Sequence, residues 1–133
     1  MKHRRPKRRR RLLEEQVGGC SWCGLRMGKY DDARIGPTHP WAITIEHLLP
    51  RGDPNRNERW AIVGAHGLCN RLRALLEWDD FIAYVRSPTF QQMFQANREW
   101  RKKLLHQLIR QALAEVAASK VCALEDTPPD KNG

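Results

Sequence analysis

The chain has 133 residues, with 24 Lys and Arg against 15 Asp and Glu and a formal charge of +9. That length suits one domain rather than two independent cores, and no stretch approaches the roughly 18 to 20 apolar residues of a membrane span. The N-terminus lacks the apolar segment of a secretion signal, so an intracellular setting without a membrane partner is expected. There, Cys20, Cys23, Cys69 and Cys122 would serve as thiolates for metal rather than as disulfide partners.

Residues 1–13 read as a basic, disordered arm. Lys2, Arg4, Arg5, Lys7, Arg8, Arg9, Arg10 and Arg11 supply eight positive charges, and removing them from the formal +9 leaves +1 for residues 12–133. A run this dense repels itself and is expected to stay extended until it meets a polyanion, most commonly nucleic acid; a nuclear address or an anionic lipid surface would also suit it. Arg11 to Gln16 can form a helical turn before VGGCSWCG, where glycines flank a pair of cysteines.

A core is expected over residues 14–78. Trp41 to Ile45, entered from the proline-bounded IGPTHP, reads as a strand. The following LLPRGDPNRNER is polar and turn-rich, and the segment 24–65 reads as loop-rich. CNRLRALLEW reads as a helix, with Leu72, Leu75 and Leu76 at spacings of three and four, and DDFIAYVRSP extends or follows it.

Residues 79–124 read as a helical extension. Ser87 before Pro88 is a cap residue ahead of a proline at the first helical position. From there Phe90, Met93, Phe94, Asn97, Trp100, Leu104, Leu105, Leu108, Ala112 and Val116 form a nearly continuous apolar stripe, expected on a single helix of about 30 residues. Such a stripe packs into a core, or forms a homodimer seam or a docking face for a larger assembly. Arg101, Lys102 and Lys103 lie off the stripe as a solvated basic patch, and Cys122 reads as a small half-buried apolar residue. Residues 125–133, EDTPPDKNG, have the composition of a disordered tail.

Two short motifs suggest a metal. Cys20 and Cys23 form a C-x-x-C turn, and His66 and Cys69 form an H-x-x-C turn. A two-residue spacer lets both side chains of a pair point at one ion, so the four form a closed tetrahedral set suited to structural zinc. Binding would be coupled to folding, because 24–65 has few apolar residues with which to hold itself together.

Taken in order, these residues resemble the HNH endonucleases, which have a ββα-metal fold. The resemblance runs from Cys20 to about Arg73: C-x-x-C, the acid–histidine pair Glu46-His47 with Pro50 after it, Asn57, a second zinc pair ending in Cys69-Asn70, and Arg73 three positions on. It implies an α+β fold with a small ββα-metal core pinned by zinc, here with a long helical extension. It also implies hydrolysis of phosphodiester bonds in DNA, RNA not being excluded. His47 would be the general base, and Glu46 and Asn70 would hold a catalytic divalent ion such as Mg2+. Asn57, or its neighbour Asn55, would brace the loop that orients the base. Glu46 stands where the family usually has Asp, and His66 where most zinc-bearing members have Cys.

The chemistry is consistent with the residue types. Phosphodiester hydrolysis needs a base for water and a cation for the charge that builds on phosphate; neutral imidazole suits the first, and carboxylate and amide oxygens suit a hard ion. Arg51, Arg56, Arg59, Arg71 and Arg73 cluster around the expected site and, with Arg8 to Arg11, are candidate phosphate contacts. No recognition helix is evident, so low sequence selectivity is expected. A catalytically inactive nucleic-acid-binding protein and an assembly component on the same scaffold are the competing readings.

Overall fold

The computed structural model describes residues 4–27, 40–96 and 104–125. It is an α+β arrangement of α1 (Arg4–Glu15), β1 (Ile43–His47), β2 (Ile62–His66), α2 (Gly67–Leu75), α3 (Trp78–Val85), α4 (Pro88–Ala96) and α5 (Leu104–Glu125), with one 3-10 turn at Arg59–Ala61 leading into β2. Among the described residues no helix is long and apolar enough to cross a membrane.

The sheet is a two-stranded antiparallel hairpin. Ile43, Thr44 and Ile45 are residues that favour a pleated, half-buried surface, and the register pairs Ile43 with His66, Ile45 with Gly64 and His47 with Ile62. β2 lies in a segment expected as loop: it is only five residues long and has Gly64 at its centre. A side chain at Gly64 would meet Ile43 Cδ1 at 3.0 Å and Gln16 Oε1 at 3.3 Å. Gln16 closes the outer edge of β2 with both ends of its amide, accepting from Gly64 N at 2.7 Å and donating to Gly64 O at 2.9 Å. A paired edge also removes a template for unwanted strand addition.

The N-terminal arm differs from its expected extended form, because Arg4–Glu15 is helical. Arginine is a good helix former, and the segment is anchored at its C-terminal end, where Leu12 is 2% exposed in the core and Gln16 is bonded into β2. Glu15 accepts from Arg59 across the chain and lies 3.6 Å from Arg11.

β2 runs directly into α2. The first free amides of that helix are satisfied by backbone carbonyls from the approach to β1, Gly67 N to Ala42 O at 3.0 Å and Leu68 N to Pro40 O at 3.3 Å, which answers the usual deficit at a helix start. The helix ends three residues earlier than the sequence suggested: Leu76 is extended, with φ −116° and ψ 153°, and α3 is a separate helix. Ser87 caps α4 as expected, its Oγ accepting from Phe90 N at 3.2 Å.

The stripe expected on one helix is carried by α4 and α5; residues 97–103, including Asn97, Trp100 and the Arg101–Lys103 patch, lie outside the described residues, as do the Cys122 side chain and 126–133. Phe90, Met93, Phe94, Leu105, Leu108, Ala112 and Val116 are buried in the same cluster as Leu12, Ile43, Leu68 and Leu72. The division at residue 78 is therefore not a division of the core. That face of the helices is used within the chain.

Candidate functional site

The four predicted zinc ligands come together. The ligand atoms of Cys20, Cys23, His66 and Cys69 all lie within 4.8 Å of one another, and all four residues are buried. The first pair sits on a tight turn in which Cys20 N donates to Leu25 O at 2.9 Å and Gly24 N to Cys20 O at 2.9 Å. Gly24 has φ +81°, a conformation that favours glycine. The second pair straddles the β2–α2 junction, His66 as the last strand residue and Cys69 in the first helical turn.

His66 is oriented for the cluster. Its Nε2 lies 2.8 Å from the carbonyl of Arg26, and a carbonyl can only accept, so Nε2 carries the proton. Nδ1 is then a bare lone pair, 3.3 Å from Cys23 Sγ and 3.8 Å from Cys69 Sγ. Four ligands at roughly 2.0–2.3 Å from a central ion stand this far apart. The carbonyl behind the ring is the outer partner that metal-binding imidazoles ordinarily have. Phe94 and Trp41 pack on the ring at centroid distances of 4.8 and 5.2 Å.

The sulfurs share charge unequally. Burial acts to raise the Cys20 thiol, but interactions with Cys23, Cys69 and His66 together outweigh it and lower it. Its hydrogen bond with Cys20 pushes Cys23 up to about 12, and burial raises Cys69. Backbone amides of Trp22 and His66 approach Cys20 Sγ at 3.4 and 3.5 Å, as they would a thiolate. A metal entering this cluster takes the place of thiol protons.

The predicted reaction residues stand on either side of β1. Successive strand side chains point to opposite faces: Thr44 and Glu46 meet Asn70 and Arg73 of α2, while Ile45 and His47, with the edge of Thr44, line a cavity beside α1. Glu46 pairs with Arg73 at 2.8 Å. Burial raises the carboxyl, with Arg73 opposing. Asn70 donates to Thr44 Oγ1 and its Oδ1 accepts from Trp22 Nε1 at 3.2 Å. Carboxylate and amide oxygens each retain further lone pairs and are of the type that suits a hard cation, but the Glu46 carboxylate is engaged by Arg73.

On the other face, the Asn57 side chain lies beside His47 and favours its protonated form. Asn55 instead serves the turn, its backbone amide donating to Asp53 Oδ1 at 2.8 Å, so of the two asparagines Asn57 reaches the imidazole. Burial lowers His47 below the usual imidazole range, Arg56 and Arg8 lower it further, and Asn57 partly opposes them. No known protein family, curated protein or solved structure matches this chain.

The predicted arginines divide. Arg8 and Arg9 line the cavity of about 350 Å3 with Thr44, Ile45 and His47. Arg56 acts on both His47 and Glu46. Arg73 lies 4.9 Å from the centre of the Trp22 ring and 5.9 Å from that of Trp78. Arg11 and Arg59 are taken up by Glu15, while Arg10, Arg51 and Arg71 are exposed. Sequence reasoning missed Thr44, Trp22 and Trp78. Trp22 had a signal: it stands inside the C-x-x-C turn, so a fold that brings the cysteines to Cys69 also brings it to Asn70, one residue on.

Proposed function

We propose that this protein is a zinc-braced, divalent-metal-dependent endonuclease of the HNH type, hydrolysing phosphodiester bonds in DNA with low sequence selectivity. The observation that carries the reading is the buried cluster of Cys20, Cys23, His66 and Cys69. It ties the β2–α2 junction to the Trp22 turn and so sets Asn70 against the strand that bears Glu46 and His47. The chain order β1, β2, α2 also agrees with a ββα core.

In this reading Zn2+ fills the sulfur–imidazole cluster and is structural, since all four tetrahedral positions are protein ligands. Glu46 and Asn70 hold the catalytic ion, Mg2+ or another divalent cation, which when bound supplies Lewis acidity for charge on the phosphate. His47 takes the proton from the attacking water as its oxygen bonds to phosphorus, and the P–O bond to the leaving oxygen breaks. Lowering of its pKa keeps the ring neutral, and able to accept that proton, at pH 7. Asn57 holds the ring in place, and Arg56 adds positive charge where the phosphate approaches.

The Arg73–Glu46 pair favours a second reading, a nucleic-acid-binding protein without catalysis, because a carboxylate held by a guanidinium is less available to a cation. Supercoiled plasmid incubated with EDTA or with added Mg2+, Mn2+ or Ni2+ distinguishes the two. Nicking or linearisation only with a divalent ion is the expected result. Retardation of the plasmid in a gel without cutting under any of these conditions would favour the binder.

A further inference from the structure

The cavity beside His47 has a one-sided inventory. Among the described residues its lining is Arg8, Arg9, Thr44, Ile45 and His47, and none of these is acidic. The Thr44 hydroxyl is already committed, donating to Ala65 O at 2.9 Å and accepting from Asn70. The side-chain polar groups left to face the space are two guanidiniums and an imidazole. The two acids of α1, Glu14 and Glu15, lie at the far end of the helix, and Glu15 is engaged there by Arg11 and Arg59.

One of these guanidiniums lacks an acceptor at Nε: Arg9 Nε is buried with no hydrogen-bond partner among the described residues, and so is Nε of Arg56 nearby. A buried N–H without an acceptor is costly, and such groups in native structures call for a water, an ion or a ligand. Planar guanidinium forks are the side chains best matched to phosphate oxygens. At about 350 Å3 the space lies at the small end of the roughly 300–1,000 Å3 of small-ligand clefts.

We propose that this cavity seats one phosphodiester of the nucleic-acid strand, clamped by Arg8 and Arg9 from α1 and presented to His47. Arg8 and Arg9 are then part of the wall of the reaction site rather than of an accessory tether. Arg8 and Arg9 are positioning residues: they hold the phosphate, and their effect on hydrolysis passes through where it sits relative to the imidazole. The hydrolytic consequence rests on the nuclease reading; the phosphate seat itself does not.

The test titrates the full-length protein, without added divalent ion, with the dinucleoside phosphate TpT while the His47 ring resonances are followed by NMR. TpT is expected to shift them. The double variant Arg8→Gln/Arg9→Gln should weaken that titration about tenfold or more, whereas Arg4→Gln/Arg5→Gln, which removes equal charge from the same helix, should change it less than about threefold. Arg8→Lys/Arg9→Lys should fall between, keeping charge without the fork. In cleavage at saturating DNA the Arg8/Arg9 glutamine pair should lower kcat about a hundredfold through misplacement, and the Arg4/Arg5 pair should alter KM alone. Equal weakening by both glutamine pairs, no TpT effect on His47, or a response to inorganic phosphate but not to TpT would each overturn the phosphodiester seat. An Arg8/Arg9-dependent TpT shift in a protein that never cuts would leave the seat standing and sink the nuclease reading.

Discussion

His47 shows how much of a site can depend on a single ring and its neighbours. Burial comes first in lowering its pKa, Arg56 and Arg8 act in the same direction, and Asn57 acts against them. As a base the ring works only when neutral, so activity should rise with pH through its pKa and level off above it, with the acid limb below the ordinary value of about 6.5. The two neighbours have opposite signs. Arg56→Gln removes a repelling charge, makes protonation easier and should move the acid limb to higher pH. Asn57→Ala removes an acceptor that favours the protonated ring and should move the limb to lower pH while also loosening the ring. Rate profiles between about pH 5 and 8 check both; shifts in the same direction would mean that these residues do not act on the base.

Among the secondary-structure elements, the β2–α2 junction is the joint on which the site depends. His66 ends the strand, Cys69 lies in the first turn, and both reach sulfurs that come from the Trp22 turn. Cys23→Ser is expected to lose the bound zinc and to destabilise the fold by about 4 kcal/mol or more, the range in which metal loss belongs. Thermal unfolding with and without a chelator checks it: chelation should lower the Tm of the wild type and leave the variant unmoved. An unchanged Tm in Cys23→Ser would remove the metal from the structural account.

These elements also show what could be read in advance. The cysteine and histidine pairs were legible because ligand spacing is a local property of the chain. The Ser87-Pro88 cap was legible for the same reason. β2 was not, since five residues with a central glycine become a strand only when Gln16, 48 positions earlier in the sequence, covers the edge. α1 was not, since eight like charges argue for an extended chain until Leu12 and Gln16 are seen to anchor one end. The end of α2 at Leu75 depends on Trp78 turning to pack on Trp22 and Phe81, with ring centroids at 5.7 and 5.8 Å, a contact that periodicity cannot show.

The molecule as a unit is held by one cluster that runs from Leu12 to Val116. Leu108 on α5 is 1% exposed, and α5 packs on α2, the helix that carries Cys69, Asn70 and Arg73. Leu108→Ala is therefore expected to cost about 2–5 kcal/mol in a single unfolding transition that releases zinc at the same temperature. An early transition with zinc retained would mean that the C-terminal helices are a separate body. Phe94 packs on the imidazole of His66, and α5 packs on the helix that meets Glu46, so the helices stand directly behind the site.

The nuclease reading stands or falls on cleavage of supercoiled plasmid by wild type and His47→Ala side by side with Mg2+, at equal zinc content. Removal of the base should slow cutting by about 100- to 10,000-fold while plasmid retardation in a gel is unchanged. Cutting by His47→Ala at the wild-type rate, or no cutting by either protein under conditions where both bind, would contradict it.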